Sequence, residues 1–234
     1  GTSCGSFCSV GVGAILTCVY QATRHSSQTT QTAATQLAQA IGATFIFLDV
    51  DNLVQDYVHK IEAAIGRTLD WQHDDVALQN IQARTRAPSV WLLANIKNAL
   101  LLSTSNRSEA AVGYATMDGD TCGGLAPIAG IDKAFLRRWL VWLEQIGPVE
   151  TGPIAALATI NAQAPTAELR PVEQTDEGDL MPYVVLDAIE KAAIRDKKMP
   201  VEVYQRLRTD LPDVDRMQMA QWVERFFTLW CRNQ

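Results

Sequence analysis

An apolar run, Ala99-Leu100-Leu101-Leu102, gives way at once to Ser103-Thr104-Ser105-Asn106-Arg107-Ser108-Glu109, with Gly113-Tyr114 and Gly119-Asp120 close behind. A short continuous apolar stretch bounded by turn residues reads as a buried parallel strand. The small hydroxylated residues mark a tight turn, and Glu109 falls near the start of the next helix. Strand end, polar turn and helix start form the place where open α/β sheets bind nucleotides.

The rest of the chain agrees with that layering. Leu16-Thr17-Cys18-Val19-Tyr20 predicts a strand and Arg24-His25-Ser26-Ser27 the turn after it. Ala33, Ala34, Leu37, Ala38 and Ile41 recur at helical spacing, with Gly42 as the stop. Thr44-Phe45-Ile46-Phe47-Leu48 is the next strand. Asp51 or Asn52 is expected to cap an amphipathic helix carrying Leu53, Val54, Tyr57, Val58, Ile61 and Ile65, ended by Gly66. A longer helix is expected over Val76 to Arg86, broken or kinked by Pro88, with helical spacing resuming at Trp91, Leu92 and Ile96. Ala134 to Ile146 predicts a helix stopped by Gly147-Pro148. The segment from Glu150 to Pro182 is turn-rich, and the last third is helical: Val184 to Arg195, a short element after Pro200, and Met217 to Trp230. The expected class is α/β, a doubly wound parallel sheet with flanking helices and a helical C-terminal part.

Charge narrows the partners. A net charge of −6 and a pI near 5.1 favour neither nucleic acid nor an anionic membrane. An anionic nucleotide must then be held by local amides, a few cations and metal. No apolar run reaches the ~20 residues of a membrane helix, and no Lys or Arg precedes Arg24, so a secretory signal is not expected. The cytoplasm is the default location. Of the five cysteines, only Cys4 and Cys8 are close in sequence, and no second pair completes a zinc site, so unliganded thiols are expected.

Several groups could carry chemistry. Asn80 and Arg84 lie one helical turn apart, among Gln82 and Arg86; together an amide and a guanidinium can read a carboxylate or phosphate beside a polar ring, or simply cover a solvated face. Thr104 and Glu109 could meet ATP and Mg²⁺, a hard cation that takes carboxylate and phosphate oxygens, or Glu109 could reach back to cap its own helix. Asp120 lies in a flexible polar loop. Lys133 stands at a helix entrance, either reaching a polyphosphate as a point charge or lying on the surface. Pro165-Thr166-Ala167-Glu168-Leu169-Arg170 precedes Gln174-Thr175-Asp176-Glu177 in an acidic stretch.

Together these pieces resemble the synthetase domain of the NAD synthetases, in the ATP-pyrophosphatase group. The resemblance rests on Asn80 to Arg86, Ser105-Asn106-Arg107-Ser108-Glu109, Gly113-Tyr114, Gly119-Asp120, Gly123-Gly124-Leu125-Ala126-Pro127-Ile128, Lys133, Pro165 to Arg170 and Gln174 to Glu177, in family order from about Leu16 onward. It implies an adenine-nucleotide-hydrolase-like, Rossmann-like fold and ATP-dependent amidation of deamido-NAD to NAD through an acyl-adenylate, with AMP and pyrophosphate released. It implies Asn80, Arg84, Glu109 and Asp120 at deamido-NAD, Thr104, Lys133 and Thr166 at ATP, and Glu109 as the carboxylate for Mg²⁺. It also implies a homodimer, with the Leu53 to Ile65 and Trp91 helices as contact surfaces. Asn106-Arg107-Ser108-Glu109 and Arg232-Asn233-Gln234 look more like the glutamine-dependent branch, in which ammonia comes from glutamine hydrolysed in a separate domain. That glutaminase domain is absent from these residues.

The family's Ser-Gly-Gly-x-Asp-Ser loop has no counterpart beyond Gly1-Thr2-Ser3-Cys4-Gly5-Ser6, Ser103 stands where a glycine usually opens the Thr104 turn, and the basic tail after Gln234 is missing. The chain is therefore expected to be one domain, residues 1–234, with an incomplete phosphate loop and tail. A catalytically disabled, dimeric nucleotide-binding module of the same fold is the alternative. A GMP-synthetase-like enzyme fits less well, because Asn80 and Arg84 suit a dinucleotide acid better than a purine acceptor.

Overall fold

A computed structural model describes residues 12–172 and 174–233. In chain order these give α1 (Val12–Ile15), β1 (Thr17–Ala22), α2 (Gln28–Ala40), β2 (Thr44–Asp49), α3 (Asp51–Ile65), α4 (Asp75–Lys97), α5 (Arg107–Val112) and α6 (Lys133–Gln145). A 3₁₀ turn at Ala155–Leu157, α7 (Ala158–Asn161), α8 (Asp176–Asp179), α9 (Tyr183–Glu190), a π turn at Lys191–Arg195, α10 (Pro200–Asp210) and α11 (Arg216–Asn233) follow. The opening Gly1 to Ser6 lies outside the described residues.

The chain divides into two compact units. The first, Gly1–Thr68 with Leu140–Gln163, holds the sheet: β1 and β2 pair in parallel, Thr17 opposite Thr44 through Ala22 opposite Asp49. A parallel pair needs a crossover, and α2 supplies it, capped by the Ser27 hydroxyl accepting from the Thr30 N–H. Asp51 does not cap α3, and neither does Asn52. The N-cap position is Val50, and the Asp51 carboxylate instead accepts the backbone N–H of Arg24 (3.0 Å) and its guanidinium (2.8 Å), tying the exit of β1 to α3. An aspartate in the first helical turn still meets the positive end of the helix dipole.

The second unit, Leu69–Trp139 with Ala164–Gln234, is mainly helical. Its core forms where α5, α9, α10 and α11 meet: Leu186, Ile189, Val203 and Phe226 are wholly buried, and Met181, Leu207 and Met219 are almost so. Each such side chain contributes about 1.5–3 kcal/mol of transfer free energy. Pro88 does not break α4, which runs unbroken to Lys97; the ring lacks an amide, so the Arg84 carbonyl goes without its helical donor there.

The buried strand expected at Ala99–Leu102 is not formed. Leu102 makes one parallel bridge with Leu125, and Leu100 and Leu102 remain exposed. An apolar run records a need for burial, but a ladder also needs a neighbouring strand in register. Among the described residues only β1 and β2 supply one, and they pair with each other. The element after Pro200 is a full three-turn helix rather than a short one, because Pro200 sits at its first position and Leu207 and Val203 seat it in the core.

Candidate active site

The polar turn after Leu102 is built around α5. Asn106 accepts the Glu109 N–H (3.1 Å) while a Glu109 oxygen accepts the Asn106 N–H (3.3 Å), a complete capping box. The other Glu109 oxygen takes the Lys133 ammonium at 2.7 Å. Lys133 is therefore not a free surface cation. Its ammonium also stands over the Tyr183 ring, 5.6 Å from the centroid, and 4.0 Å from Asp176. Asp176 is buried, one of its oxygens accepts the Tyr183 hydroxyl at 2.9 Å, and the other has no hydrogen-bond partner. Burial, more than any neighbour, raises the Asp176 carboxyl above its usual range.

One turn beyond Glu109, α5 ends at Gly113 in the left-handed region (φ 65°), and there a second feature opens. A cavity of about 620 Å³ is lined by Asn80 and Arg84 of α4, by Tyr114, Thr116 and Asp120, by Arg170 and Asp179, and by Arg225, Arg232 and Asn233 of α11. That volume suits a drug-sized or nucleotide-sized ligand, and its arginine-rich wall suits an anionic one. α4 organises the loop: the Thr116 hydroxyl donates to Asn80 (2.9 Å), Arg84 Nε to the Met117 carbonyl (3.0 Å), and the Thr116 N–H to Asp120 (2.7 Å). Gly119 lies so close to α4 that a Cβ there would meet the Ala83 backbone at 2.9 Å. At the far wall, Asn233 donates to the Val112 carbonyl at 2.8 Å, in the space a Cβ on Gly113 would need.

The floor is an ion network. Arg170 grips both oxygens of Asp75 (3.0 and 2.8 Å) and reaches Asp179 (2.9 Å), whose other oxygen accepts Tyr114 and Gln174, each at 2.9 Å. The Arg170 hydrogen bond holds the Asp75 carboxyl below its usual value. For Asp179, burial pushes upward, and its bonds to Gln174, Tyr114 and Arg170 together outweigh that. Gln82, read in the sequence with the polar face of α4, is buried and donates to the Leu169 carbonyl at 2.8 Å, anchoring the Pro165–Arg170 loop.

The residues singled out in the sequence thus fall into groups. Asn80, Arg84 and Asp120 share one cavity, and Glu109 and Lys133 form an ion pair at the start of α5 and α6. Thr104 is exposed on the turn, and the Thr166 hydroxyl accepts the Glu168 N–H at 3.2 Å; neither is among the residues lining the cavity. Sequence reading missed Arg225, Arg232 and Asn233 as cavity residues. Their signal was present, since positions seven and eight apart on an amphipathic helix share a face.

The family model described as NAD synthase matches residues 7–226. A glutamine-dependent NAD(+) synthetase of Aquifex aeolicus is 35% identical over 83% of this chain and 32% of its own length. The crystal structure of a glutamine-dependent NAD(+) synthetase from Cytophaga hutchinsonii superimposes with a TM-score of 0.80 at 45% identity, covering 95% of this chain and 34% of that one. A glutamine-dependent NAD+ synthetase from Acinetobacter baumannii, solved with ADP, shares the fold at a TM-score of 0.51 and 24% identity, over 92% of this chain and 34% of that one. The chain spans about a third of the length of these relatives. The α/β class and the adenine-nucleotide-hydrolase-like fold follow from these matches, and the chain belongs to the NAD synthase family.

Proposed function

We propose that the protein carrying this chain amidates deamido-NAD to NAD at the expense of ATP, with ammonia drawn from glutamine or from solution. The carrying observation is the anion-suited cavity bearing Asn80, Arg84 and Asp120, one turn of α5 away from the Glu109–Lys133 pair. The names of the relatives and the ADP held by one of them support the same reading.

In the proposed reaction the pyridine carboxylate attacks the α-phosphorus of ATP; a carboxylate C–O–P bond forms and the bond to pyrophosphate breaks. Ammonia then attacks the acyl carbon, loses a proton, and AMP leaves. Asn80 and Arg84 orient the dinucleotide acid, Asp120 holds its loop closed on the ligand, and Lys133, Thr104 and Thr166 meet ATP. The chain's task is alignment and charge stabilisation. Mg²⁺ would spread the phosphate charge when bound. Its hard-oxygen donors would be Glu109, once Lys133 turns to ATP, and Asp176, whose carboxylate comes within 4.0 Å of that ammonium and has one unpartnered oxygen.

The test supplies ammonia directly, with ATP, Mg²⁺ and deamido-NAD, and follows pyrophosphate. Release dependent on deamido-NAD is expected. Binding of deamido-NAD without release would favour the disabled module, and neither would remove the reading.

A homodimer belongs to the same proposal. Leu53, Tyr57, Ile61 and Ile65 form an i, i+4 stripe on α3, each about half exposed, and Trp91, Leu92 and Ile96 are exposed on α4. Leu53→Glu with Ile61→Glu is expected to turn a dimer into a monomer in sedimentation velocity; an unchanged profile would place the interface elsewhere. No helix among the described residues is long and apolar enough to cross a membrane, and the cytoplasm, where ATP is made available, is the proposed location.

A further inference from the structure

Helices α5 and α6 each possess their own N-terminal cap. The Asn106–Glu109 box serves α5, and Asp132 accepts the Phe135 N–H at 2.6 Å at the start of α6. Yet a third carboxylate, Asp187 of α9, is driven into the same place. One of its oxygens accepts the Ser108 hydroxyl, and the other accepts the Ala134 N–H at 2.9 Å. The Ser108 hydroxyl oxygen in turn accepts the Lys133 N–H at 2.8 Å. A relay therefore runs from the Lys133 amide through Ser108 to Asp187, and back through the other Asp187 oxygen to Ala134.

The residues so gripped adjoin the proposed chemistry. Ser108 precedes Glu109, and the amides of Lys133 and Ala134 flank the Lys133 side chain. α9 makes a rigid mount, since Leu186 and Ile189 on either side of Asp187 are wholly buried. The placement is also unfavourable for the charge: burial, followed by the neighbouring Asp132, overrides the bonds from Ser108 and Ala134 and pushes the Asp187 carboxyl up to about 6. Asp132 meets the Phe135 N–H alone, and the Lys133 and Ala134 N–H groups, which also lack intrahelical partners, are taken by Ser108 of α5 and Asp187 of α9. One oxygen accepting the Ser108 hydroxyl of α5 and the other the Ala134 N–H of α6, both from a rigid helix, fix the mouth of α6 against α5.

We propose that Asp187 is a positioning residue for Lys133: its two oxygens lock the start of α6 onto α5 and so set where the Lys133 ammonium meets ATP and Glu109. This rests on the reading that Lys133 is an ATP-binding cation. An asparagine in its place has a single acceptor oxygen, and its NH₂ would confront one of the two donors.

A double-mutant cycle read by ATP affinity in calorimetry tests it on the full protein. Lys133→Ala is expected to weaken ATP by roughly tenfold, the scale of one charge-assisted contact. Asp187→Asn should weaken it by about half that factor and add nothing in the Lys133→Ala background. Equal weakening in both backgrounds would make Asp187 merely structural and overturn the inference while Lys133 keeps its role. ATP affinity indifferent to Lys133→Ala, or no ATP binding by the unsubstituted protein, would overturn the Lys133 reading and the inference with it. Where thermal melting shows that Asp187→Asn is unfolded, Ser108→Ala cuts the relay from its other end and completes the same cycle.

Discussion

Glu109→Ala is expected to cut AMP formation from ATP and deamido-NAD by roughly 10²–10³-fold, the usual cost of removing a group that stabilises charge in a transition state. Glu109 has two structural duties as well: it reaches back to the Asn106 N–H and holds Lys133 at 2.7 Å. Alanine removes both, and the lost capping contact costs about 1 kcal/mol. Glu109→Gln separates the effects. Glutamine keeps an acceptor for the Asn106 N–H but gives up the ion pair with Lys133, so the glutamine variant should melt closer to the parent than Glu109→Ala does, yet share the loss of turnover. Near-parental AMP formation by Glu109→Gln would show that the carboxylate acts only as a cap.

Arg170→Met should lower the melting temperature most among the cavity residues. It leaves Asp75 and Asp179 without their shared cation and removes one of the ties between the Pro165–Arg170 loop and α4, the Gln82–Leu169 bond remaining. Breaking a buried pair by removing one partner costs about 3–5 kcal/mol. Arg170 is 29% exposed, so about 2–3 kcal/mol is the appropriate expectation here. That corresponds to a fall of roughly 5–10 °C in differential scanning calorimetry.

The pH dependence has a definite sign. Both carboxyls are held below their usual value in the folded protein. Their contribution is thus present above the unfolded carboxylate range near 3.8 and is lost as pH falls through the lower folded values. The parent protein should lose stability below about pH 4, and Arg170→Met should show a shallower acid limb. An identical acid limb in both would mean that Arg170 does not set these carboxyls.

Local pattern accounts for much that the sequence made visible. The β1–α2–β2–α3 alternation, the helix ends at Gly42 and Gly66, and the capping box at Asn106 are short-range matters of periodicity and backbone chemistry. So is the pairing of Asn80 with Arg84, which needs only 3.6 residues per turn. Where short-range reasoning failed, a distant partner had intervened. Asp51 looked like a cap until Arg24 claimed its carboxylate, Gln82 looked solvated until the Leu169 carbonyl took its amide in a buried hydrogen bond, and Leu100 to Leu102 found no strand to pair with.

By itself, the sequence determined the family and the helical frame, and it singled out the side chains proposed to bind a nucleotide and its acid. Only the tertiary structure decided that α11 walls the cavity with Arg225 and Arg232, that Arg170 ties Asp75 to Asp179, and that Asp187 grips the starts of α5 and α6. These contacts join residues dozens of positions apart. Periodicity carries no information across such gaps; burial and the pairing of buried charge settle them when the core closes.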